Sequence, residues 1–164
     1  PRNIDAPDES DVRSVRRWVK RALRPTAIDL FCGAGGLSLG LRDAGFTVLA
    51  GADFDPFSVE THTANVGGVG YQGDLSDPTE FISKLRHWGI HTVDLVAGGV
   101  PCQPFSRAGR SKIRSLVLAG ARSSDDPRTR LWRSFVRVVD VLRPKAVLLE
   151  NVPDLAVWDD GAVL

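Results

Sequence analysis

Short apolar runs alternate with segments of helical periodicity along most of the chain. After a helical stretch over residues 12–24, apolar runs at 27–31, 47–52, 92–97 and 146–149 each predict a strand. The stretches between them carry apolar residues at helical spacing. Strands that alternate with helices of this length predict right-handed crossovers and an α/β fold: a mostly parallel sheet with helices on both faces.

Capping residues mark where several helices begin and end. Asp55-Pro56 supplies an acidic N-cap and a proline in the first turn, and residues 77–80 (Asp-Pro-Thr-Glu) form a capping box. Gly45 ends a helix predicted over residues 37–44. Because ligand sites of parallel sheets lie beyond the carboxyl ends of the strands, the loops after the predicted strands are the candidate functional loops.

Composition and charge exclude several classes of protein. The 164 residues are 43% hydrophobic and 25% charged, as in a globular domain. The formal net charge is +1, so any signal for nucleic acid must be local. No apolar run suits a membrane span, the first residues do not resemble a signal peptide, and two cysteines cannot form a disulfide framework. We expect free thiols, a cytoplasmic setting, and neither a membrane nor a metal partner.

Residues 1–25 form an acidic and then basic N-terminal extension. Four acids lie in the first eleven residues, whereas residues 12–25 carry six basic residues and no acid. Val12, Val15 and Val19 recur at helical spacing and predict one short amphipathic helix closed by a proline. Two interpretations stay open: the basic face lies on phosphates, or the helix is a solvated extension packed by its apolar edge.

A glycine-rich turn joins the strand at 27–31 to the next helix. Its glycines allow a sharp turn and let a ligand approach the N–H groups of a helix N-terminus. Two acids follow later strands: Asp53 can accept hydrogen bonds from both ribose hydroxyls, and Asp74 from an exocyclic amine. The three loops together predict a nucleoside cofactor site, with Cys32 as a small residue beside it. For each acid alone, a helix cap or an exposed loop position is the alternative.

Cys102 stands in a loop that two prolines stiffen, directly after the run at 92–97. A fixed, partly open thiol at a strand end suits a nucleophile. Residues 95–124 contain no acid and five basic residues, which favour a thiolate and suit a phosphate backbone. A buried, inert Cys102 beside a solvated loop is the alternative.

Glu150 follows the apolar run at 146–149. We expect its carboxyl group to be partly desolvated and able to hold a proton near neutrality, as a candidate acid beside a nucleophile on a neighbouring strand. A plain strand-end cap is the alternative for an isolated glutamate.

Four segments together resemble the cytosine carbon-5 DNA methyltransferases. Residues 29–36 (Asp-Leu-Phe-Cys-Gly-Ala-Gly-Gly) are similar to that family's S-adenosylmethionine (SAM) motif, and residues 99–106 (Gly-Val-Pro-Cys-Gln-Pro-Phe-Ser) to its nucleophile motif. Residues 150–152 (Glu-Asn-Val) resemble its glutamate motif, and residues 126–132 (Asp-Pro-Arg-Thr-Arg-Leu-Trp) the stretch that precedes it. Order and spacing agree over residues 26–155, and the nucleophile and glutamate motifs are a highly specific pair.

The resemblance implies a Rossmann-like SAM-dependent methyltransferase fold and a role for each matching residue. Cys102 would attack carbon 6 of a cytosine flipped out of double-stranded DNA, Glu150 would stabilise protonation of ring nitrogen 3, and Asn151 would orient the cysteine loop. The expected cofactor contacts come from Phe31, Gly33, Gly35, Gly36, Leu37, Asp53, Phe54, Asp74 and Leu131. Gln103, Ser106 and Arg107 are the expected substrate contacts, and residues 107–124 would form a mobile loop that closes over DNA.

Two departures from the family pattern limit what the resemblance implies. Asp53 stands where the family usually has Glu, one methylene longer. The family's Gln-x-Arg-x-Arg motif, its target-recognition region and its late Asn-bearing motif do not occur in these 164 residues. We therefore expect an extension over 1–25 and a partial catalytic domain over 26–164, incomplete at its C-terminus. Such a half-enzyme would bind SAM weakly or not at all alone, and a second chain would be one source of the other half.

Three other functions stay open on the sequence. The chain could be a SAM- or DNA-binding module that does not catalyse, or an RNA cytosine-5 methyltransferase, because the transfer-RNA branch of the family shares the same two motifs. A dehydrogenase is disfavoured, since the glycine spacing departs from the dinucleotide pattern. For a DNA enzyme we expect an intracellular bacterial or phage setting, such as restriction-modification.

Overall fold

The computed structural model describes residues 11–103, 105–118 and 126–156. The strands are β1 (Thr26–Leu30), β2 (Thr47–Asp53), β3 (Val69–Gln72), β4 (Leu95–Gly99) and β5 (Ala146–Glu150). The helices are α1 (Val12–Arg21), α2 (Gly36–Asp43), α3 (Pro56–Val66), α4 (Thr79–His87), α5 (Arg107–Leu118) and α6 (Leu131–Leu142), with a short 3-10 helix (Pro127–Arg130) before α6. The strands form one parallel sheet in the order β3-β2-β1-β4-β5.

Helices cover both faces of this sheet, as the alternating pattern predicts. Residues of α1, α4 and α6 pack with Ile28 and Val96 in one cluster, whereas Leu41 of α2 and Val66 of α3 pack with Ala27 in the other. Successive residues of a strand point to opposite faces, so β1, at the centre of the sheet, is buried along its whole length. The expected α/β fold is therefore confirmed.

The N-cap that the sequence predicts at Asp55 is present, whereas α4 has Pro78 as its N-cap and no side-chain cap. Asp55 caps α3 by accepting the N–H of Ser58 at 3.0 Å, with Pro56 in the first turn. The Asp77 carboxylate accepts the N–H of Thr79 at 3.1 Å, although the helix itself is assigned from Thr79. Side-chain capping therefore fixes the start of α3, and α4 begins without the capping box predicted over residues 77–80.

Several element bounds differ from the predicted ones. The N-terminal helix α1 ends at Arg21 and does not reach Pro25. Strand β4 begins at Leu95, and the carboxylate of the preceding Asp94 binds Thr26 at the start of β1. Strand β3 has four residues, one of them Gly70, and is too short for its apolar pattern to predict.

Residues 107–118 fold as α5, and this part of the expected mobile loop over 107–124 is helical. The hydroxyl of Ser106 accepts the N–H of Gly109 at 3.0 Å, which stabilises the first turn. Phe105, directly before it, is fully buried and anchors the helix start to the core. Residues 119–124 lie outside the described residues.

Strand β5 has uncovered apolar side chains on both of its faces. Val147 is 48% exposed and Leu148, which points to the other face, is 41% exposed. Among the described residues β5 pairs with β4 alone. The end of this strand, and with it Glu150, is therefore open on one side.

Candidate active site

A cavity of about 610 Å3 opens at the carboxyl ends of the strands. Loops that follow all five strands, together with the start of α6, contribute to its wall. Its lining consists of Phe31, Asp53, Phe54, Asp74, Leu75, Ser76, Gly99, Val100, Pro101, Cys102, Gln103, Arg128, Leu131 and Glu150. The cavity lies where ligand sites of parallel sheets are expected.

The cavity brings together most of the residues that the sequence singles out. Phe31, Asp53, Phe54, Asp74 and Leu131 of the expected cofactor set line it, as do Cys102, Glu150 and Gln103. The remaining expected residues, Gly33, Gly35, Gly36, Leu37, Ser106, Arg107 and Asn151, lie outside this lining. Leu37 packs instead against the apolar cluster of α2 and α3, because its side chain follows the buried face of α2. Arg107 begins α5, and its side chain lies outside the described atoms.

The glycine turn is fixed to the end of β2 by Asp53. One oxygen of its carboxylate accepts the N–H of Gly33 at 2.9 Å, and the other accepts the N–H of Asp55 at 3.0 Å. Phe31, which precedes the turn, has a positive φ of 57°, a conformation that L-residues rarely adopt. Asp53 is therefore both a wall of the cavity and the support that holds the turn in place.

The carboxylate of Asp74 closes the loop that follows β3. Asp74 is exposed, and its carboxylate accepts the N–H of Ser76 at 2.8 Å within the loop. The carbonyl of Ser76 in turn accepts the hydroxyl of Ser134 on α6 at 2.9 Å. The loop is thereby attached to α6, and Asp74 remains open to the cavity that it lines.

Cys102 lies half-buried in a loop that its own backbone closes. Its carbonyl oxygen accepts the N–H groups of Phe105 and Ser106, each at 2.9 Å. The side-chain amide of Asn151 donates to the carbonyl of Val100 at 2.7 Å, and its oxygen accepts the N–H of Val152 at 2.9 Å. The loop after β5 therefore holds the loop that carries Cys102.

A second connection between these loops comes from α5. The Arg110 guanidinium donates to the carbonyl of Phe105, and it forms an ion pair of 3.1 Å with Asp154. The side chains of this pair are 41% and 34% exposed, so its contribution to stability is small. Its effect is to place the start of α5 against both loops.

Glu150 is exposed, and the expectation that its carboxyl group is desolvated is wrong. The apolar run before it predicts burial, but β5 has a neighbouring strand on one side alone among the described residues. Glu150 pairs in register with Gly99 of β4, and its Oε2 lies 3.4 Å from where a Cβ of Gly99 would be. Since Cys102 follows Gly99 by three residues, the thiol and the carboxylate share one end of two adjacent strands.

Arg128 is a cavity residue to which the sequence analysis assigns no role. Its guanidinium pairs side-on with Asp126, from Nε to Oδ1 at 3.0 Å and from Nη2 to Oδ2 at 2.7 Å. Asp126 is 4% exposed, and its hydrogen bonds raise the pKa of Arg128. A fixed cation therefore lines the same cavity as the carboxylates of Asp53, Asp74 and Glu150. The sequence signal that could have pointed to Arg128 is its position in the 126–132 segment, one of the four segments that carry the family resemblance.

Cys32, the other thiol, is a structural residue of the glycine turn. It is 7% exposed, and burial, followed by the charges of Asp29 and Asp53, raises its pKa well above the usual range. Both cysteines are free thiols. A thiol held in this protonated form does not compete with Cys102 for electrophiles.

Two further searches cover the described parts of the chain. Over residues 11–103, 105–118 and 126–156, no group of three or more His, Cys, Asp or Glu side chains could hold a metal ion. None of the helices in these segments has the length and apolar character that crossing a membrane requires.

Comparison with known proteins identifies relatives for most of the chain. The family model of the C-5 cytosine-specific DNA methylases matches residues 26–164. The type II methyltransferase M1.HphI of Haemophilus parahaemolyticus is 41% identical over 137 residues, which are 83% of this chain and 34% of that protein. M.XorII of Xanthomonas oryzae pv. oryzae is 40% identical over 136 residues, which are 82% of this chain and 30% of that protein. The chain thus spans about a third of the length of these two relatives.

Solved structures agree on the fold. A crystal structure of a candidate DNA modification methyltransferase encoded within a prophage of E. coli has a TM-score of 0.64 and 31% identity. The match covers 85% of this chain and 35% of that one. The Dnmt2 methyltransferase of S. pombe has a TM-score of 0.56 and 20% identity, over 86% of this chain and 38% of that one, and supports the fold alone.

Proposed function

Because the chain belongs to the C-5 cytosine-specific DNA methylase family, we propose that its cavity is the active site of a DNA cytosine carbon-5 methyltransferase that uses SAM. The observation that carries the proposal is the shared cavity of two pairs of residues. Cys102 and Glu150, at the ends of the adjacent strands β4 and β5, line the same space as Phe31 and Asp53. The residues proposed as nucleophile, as proton-holding group and as nucleoside-binding wall therefore line one cavity.

The residues at the ends of β1, β2 and β3 fit a nucleoside cofactor. Phe31 offers an aromatic face for adenine, Asp53 a carboxylate for ribose hydroxyls, and Asp74 an acceptor for the exocyclic amine. The glycine turn would hold the amino-acid half, at the N-terminus of α2. Phe54, Leu37 and Leu131 belong to the same proposed cofactor set. When bound, SAM supplies the methyl group that the cytosine accepts.

The chemistry of this chain's own residues follows from their places. The Cys102 thiol gives up its proton to solvent, and the thiolate sulfur forms a bond to carbon 6 of the cytosine as the double bond between carbons 5 and 6 opens toward carbon 5. Glu150 holds a proton at ring nitrogen 3, so that negative charge does not build up on the ring. After carbon 5 has been methylated, it loses its proton, the bond from sulfur to carbon 6 breaks, and Cys102 returns to its starting state. Asn151 orients the loop throughout, through the carbonyl of Val100.

The proposed substrate is a cytosine flipped out of double-stranded DNA. Gln103, Ser106 and Arg107 follow the nucleophile directly and would contact the backbone around the flipped nucleotide. Residues 1–25 would be an extension to a catalytic domain that starts at residue 26, where the family match also starts. The recognition part of the enzyme would come from sequence that these 164 residues do not contain, on this polypeptide or on a second chain. Restriction-modification is the proposed setting.

A chimera tests the proposal in a complete enzyme. Residues 26–164 would replace the matched third of M1.HphI, and methylation of plasmid DNA would be followed with tritiated SAM. We expect activity with the wild-type segment and none with its Cys102→Ala variant. Activity that survives this substitution would contradict the assignment of the nucleophile.

A trapping experiment separates DNA from RNA as the substrate. DNA that contains 5-fluorocytosine cannot lose a proton from carbon 5, so the bond from Cys102 to carbon 6 should persist and be visible by mass spectrometry. The same chimera would be offered transfer RNA with 5-fluorocytosine. An adduct on RNA alone would favour the RNA methyltransferase alternative, and an adduct on neither would favour a silent binding module.

A further inference from the structure

Three polar side chains form a fully buried hydrogen-bonded chain behind the glycine turn. Asp29 on β1, Ser38 on α2 and His62 on α3 each have no exposed surface. The Ser38 hydroxyl donates to Oδ2 of Asp29 at 2.6 Å, and Nε2 of His62 lies 2.9 Å from the same hydroxyl oxygen. Buried polar groups are costly unless they are paired, so such a chain across three elements calls for an explanation.

The direction of these hydrogen bonds follows from the chemistry of the groups. Ser38 has a single hydroxyl proton, which it gives to the Asp29 carboxylate, so His62 must donate its Nε2–H to the Ser38 oxygen. Burial lowers the pKa of His62 to about 4, and the ring is therefore neutral. Its other nitrogen, Nδ1, has no hydrogen-bond partner within the described part of the chain, as suits the neutral Nε2–H tautomer. In this network, His62 thus donates to Ser38, and Ser38 donates to the carboxylate of Asp29.

At neutral pH, the Asp29 carboxylate carries the negative charge of this hydrogen-bonded network of three side chains. Burial raises its pKa to about 6, opposed by hydrogen bonds from the hydroxyl and the N–H of Ser38. Among the residues that the structure describes, its Oδ1 has no hydrogen-bond partner. Asp29 precedes Phe31 by two residues, and its charge contributes to the raised pKa of Cys32 inside the turn. The field of Asp29 therefore reaches the turn.

The His62 ring lies directly against two glycines that shape the cofactor loops. A Cβ at Gly51 of β2 would lie 2.4 Å from Cε1 of His62, so no larger residue fits there. Gly35, which caps α2 with a φ of 98°, would bring a Cβ within 3.1 Å of Cδ2 of the same ring. His62 therefore supports the turn from below while it holds Ser38.

We propose, resting on the proposed function, that the His62–Ser38–Asp29 chain is a positioning network, and that Asp29 strengthens binding of the sulfonium-bearing cofactor relative to its neutral thioether product. The sulfonium of SAM is cationic, whereas S-adenosylhomocysteine carries no charge at sulfur. A fixed carboxylate in a low-dielectric site acts on that difference. The two ligands differ at sulfur alone, by one methyl group and its positive charge, so a change in the ratio of their affinities when the charge of Asp29 is removed reports the effect of that charge.

The test compares the affinities of the 164-residue chain for SAM and S-adenosylhomocysteine by NMR titration, which also measures weak binding. The variant is Asp29→Asn, and the matched control is Asp43→Asn, which removes an exposed carboxylate from the far end of α2. We expect Asp29→Asn to weaken SAM binding roughly tenfold relative to the product, and the control to leave the ratio unchanged. Equal losses for both ligands would mean a merely structural role and would overturn the inference.

Two measurements on the wild-type chain keep the inference testable if Asp29→Asn does not fold. Nitrogen-15 shifts of His62 should show the Nε2–H tautomer at neutral pH, and the Nδ1–H tautomer would overturn the network. The affinity ratio should also fall from pH 7.5 to pH 5 as Asp29 takes up a proton, with Asp53, His62 and Cys32 as the other titratable groups that face it. If the 164-residue chain binds neither ligand, as expected of a half-enzyme, the same ratios are measured in the chimera with M1.HphI, where binding of neither ligand would overturn the proposed cofactor site as well.

Discussion

The side-chain amide of Asn151 donates a hydrogen bond of 2.7 Å to the backbone carbonyl of Val100. This contact joins residues 51 positions apart, and it connects the loop after β5 to the loop that carries Cys102. The same side chain accepts the N–H of Val152, so its orientation is fixed from both ends. The geometry of the Cys102 loop therefore depends on a side chain from the neighbouring strand.

Replacing Asn151 by Ala should loosen the Cys102 loop. We expect the free energy of unfolding to fall by about 1 to 2 kcal/mol, because the side-chain hydrogen bonds to Val100 and Val152 are both lost, and alkylation of Cys102 to become faster. Urea unfolding and the rate of iodoacetamide labelling measure the two effects. Asn65→Ala is the control, since Asn65 bonds to Thr61 on the exposed surface of α3. An unchanged labelling rate would show that Asn151 does not restrain the loop.

The two thiols should differ sharply in reactivity. Cys32 is buried with a raised pKa, whereas Cys102 is half-buried and lines the cavity. We expect iodoacetamide at pH 7.5 to label Cys102 in the folded protein. Cys32 should be labelled only after the protein has been denatured. Peptide mapping by mass spectrometry identifies the labelled site, and Cys102→Ala should abolish the native-state reaction. Labelling of Cys32 in the folded variant would contradict the buried turn.

Asp29 and His62 should change stability with pH in opposite directions. The pKa of Asp29 is raised from 3.8 to about 6 by folding, so its contribution is full below pH 4 and is lost as the pH rises through 6. The pKa of His62 is lowered from 6.5 to about 4, so its contribution is lost as the pH falls through that range. Each effect is on the order of 2 to 3 kcal/mol and they oppose each other in the wild-type chain.

Single variants separate these two contributions. Relative to wild type, Asp29→Asn should lose stability between pH 6 and pH 4, whereas His62→Gln should gain stability between pH 6.5 and pH 4. Urea unfolding at half-unit intervals of pH measures both, with Asp43→Asn as an exposed control. Parallel curves for the two variants would mean that the charges are not coupled to folding as described.

Asp94 should stabilise the protein above pH 4 and lose this effect in acid. Its carboxylate binds Lys145 at 2.8 Å and the N–H of Thr26 at 2.8 Å, and these bonds, that of Lys145 first, hold its pKa well below the usual range. We expect Asp94→Asn to cost about 1 to 3 kcal/mol at pH 7. The deficit should shrink as the pH falls from 4 to 2, because the wild-type carboxylate then becomes protonated.

An exposed carboxylate provides the comparison for Asp94. Asp77 pairs with Arg137, and its side chain is 72% exposed, so Asp77→Asn should change the free energy of unfolding little. Urea unfolding of both variants at pH 7 and pH 3 decides the matter. A deficit for Asp94→Asn that is equal at both pH values would show that its charge does not contribute.

The sequence predicts those elements that local chemistry determines. Asp55-Pro56 and Gly45 specify a helix start and a helix end through capping, and the apolar runs identify four of the five strands. It does not predict β3, whose role as an edge strand depends on pairing with β2. It does not predict helix α5 either. The start of this helix is fixed by Ser106 and by the buried Phe105, and not by a regular apolar face that the sequence would show.

The candidate site could be predicted as a set of loops, but not as a network of side chains. Strand-end positions indicated Cys102 and Asp53 in advance, since parallel strands bring their carboxyl ends to one edge. The exposure of Glu150 and the pairing of Arg128 with Asp126 depend on which elements cover each loop. The His62–Ser38–Asp29 chain likewise joins three elements far apart in sequence, and no local pattern marks it.

Because β1 lies at the middle of the sheet, the two walls of the cavity are encoded by two consecutive stretches of the gene. From β1 the chain builds outward through β2 to β3, and it then returns to the other side for β4 and β5. One uninterrupted stretch, up to Ser76, encodes the wall with Phe31 and Asp53, and another, from Gly99 onward, encodes the wall with Cys102 and Glu150. A recombination event in the codons for α4 would therefore exchange one wall whole and leave the other untouched.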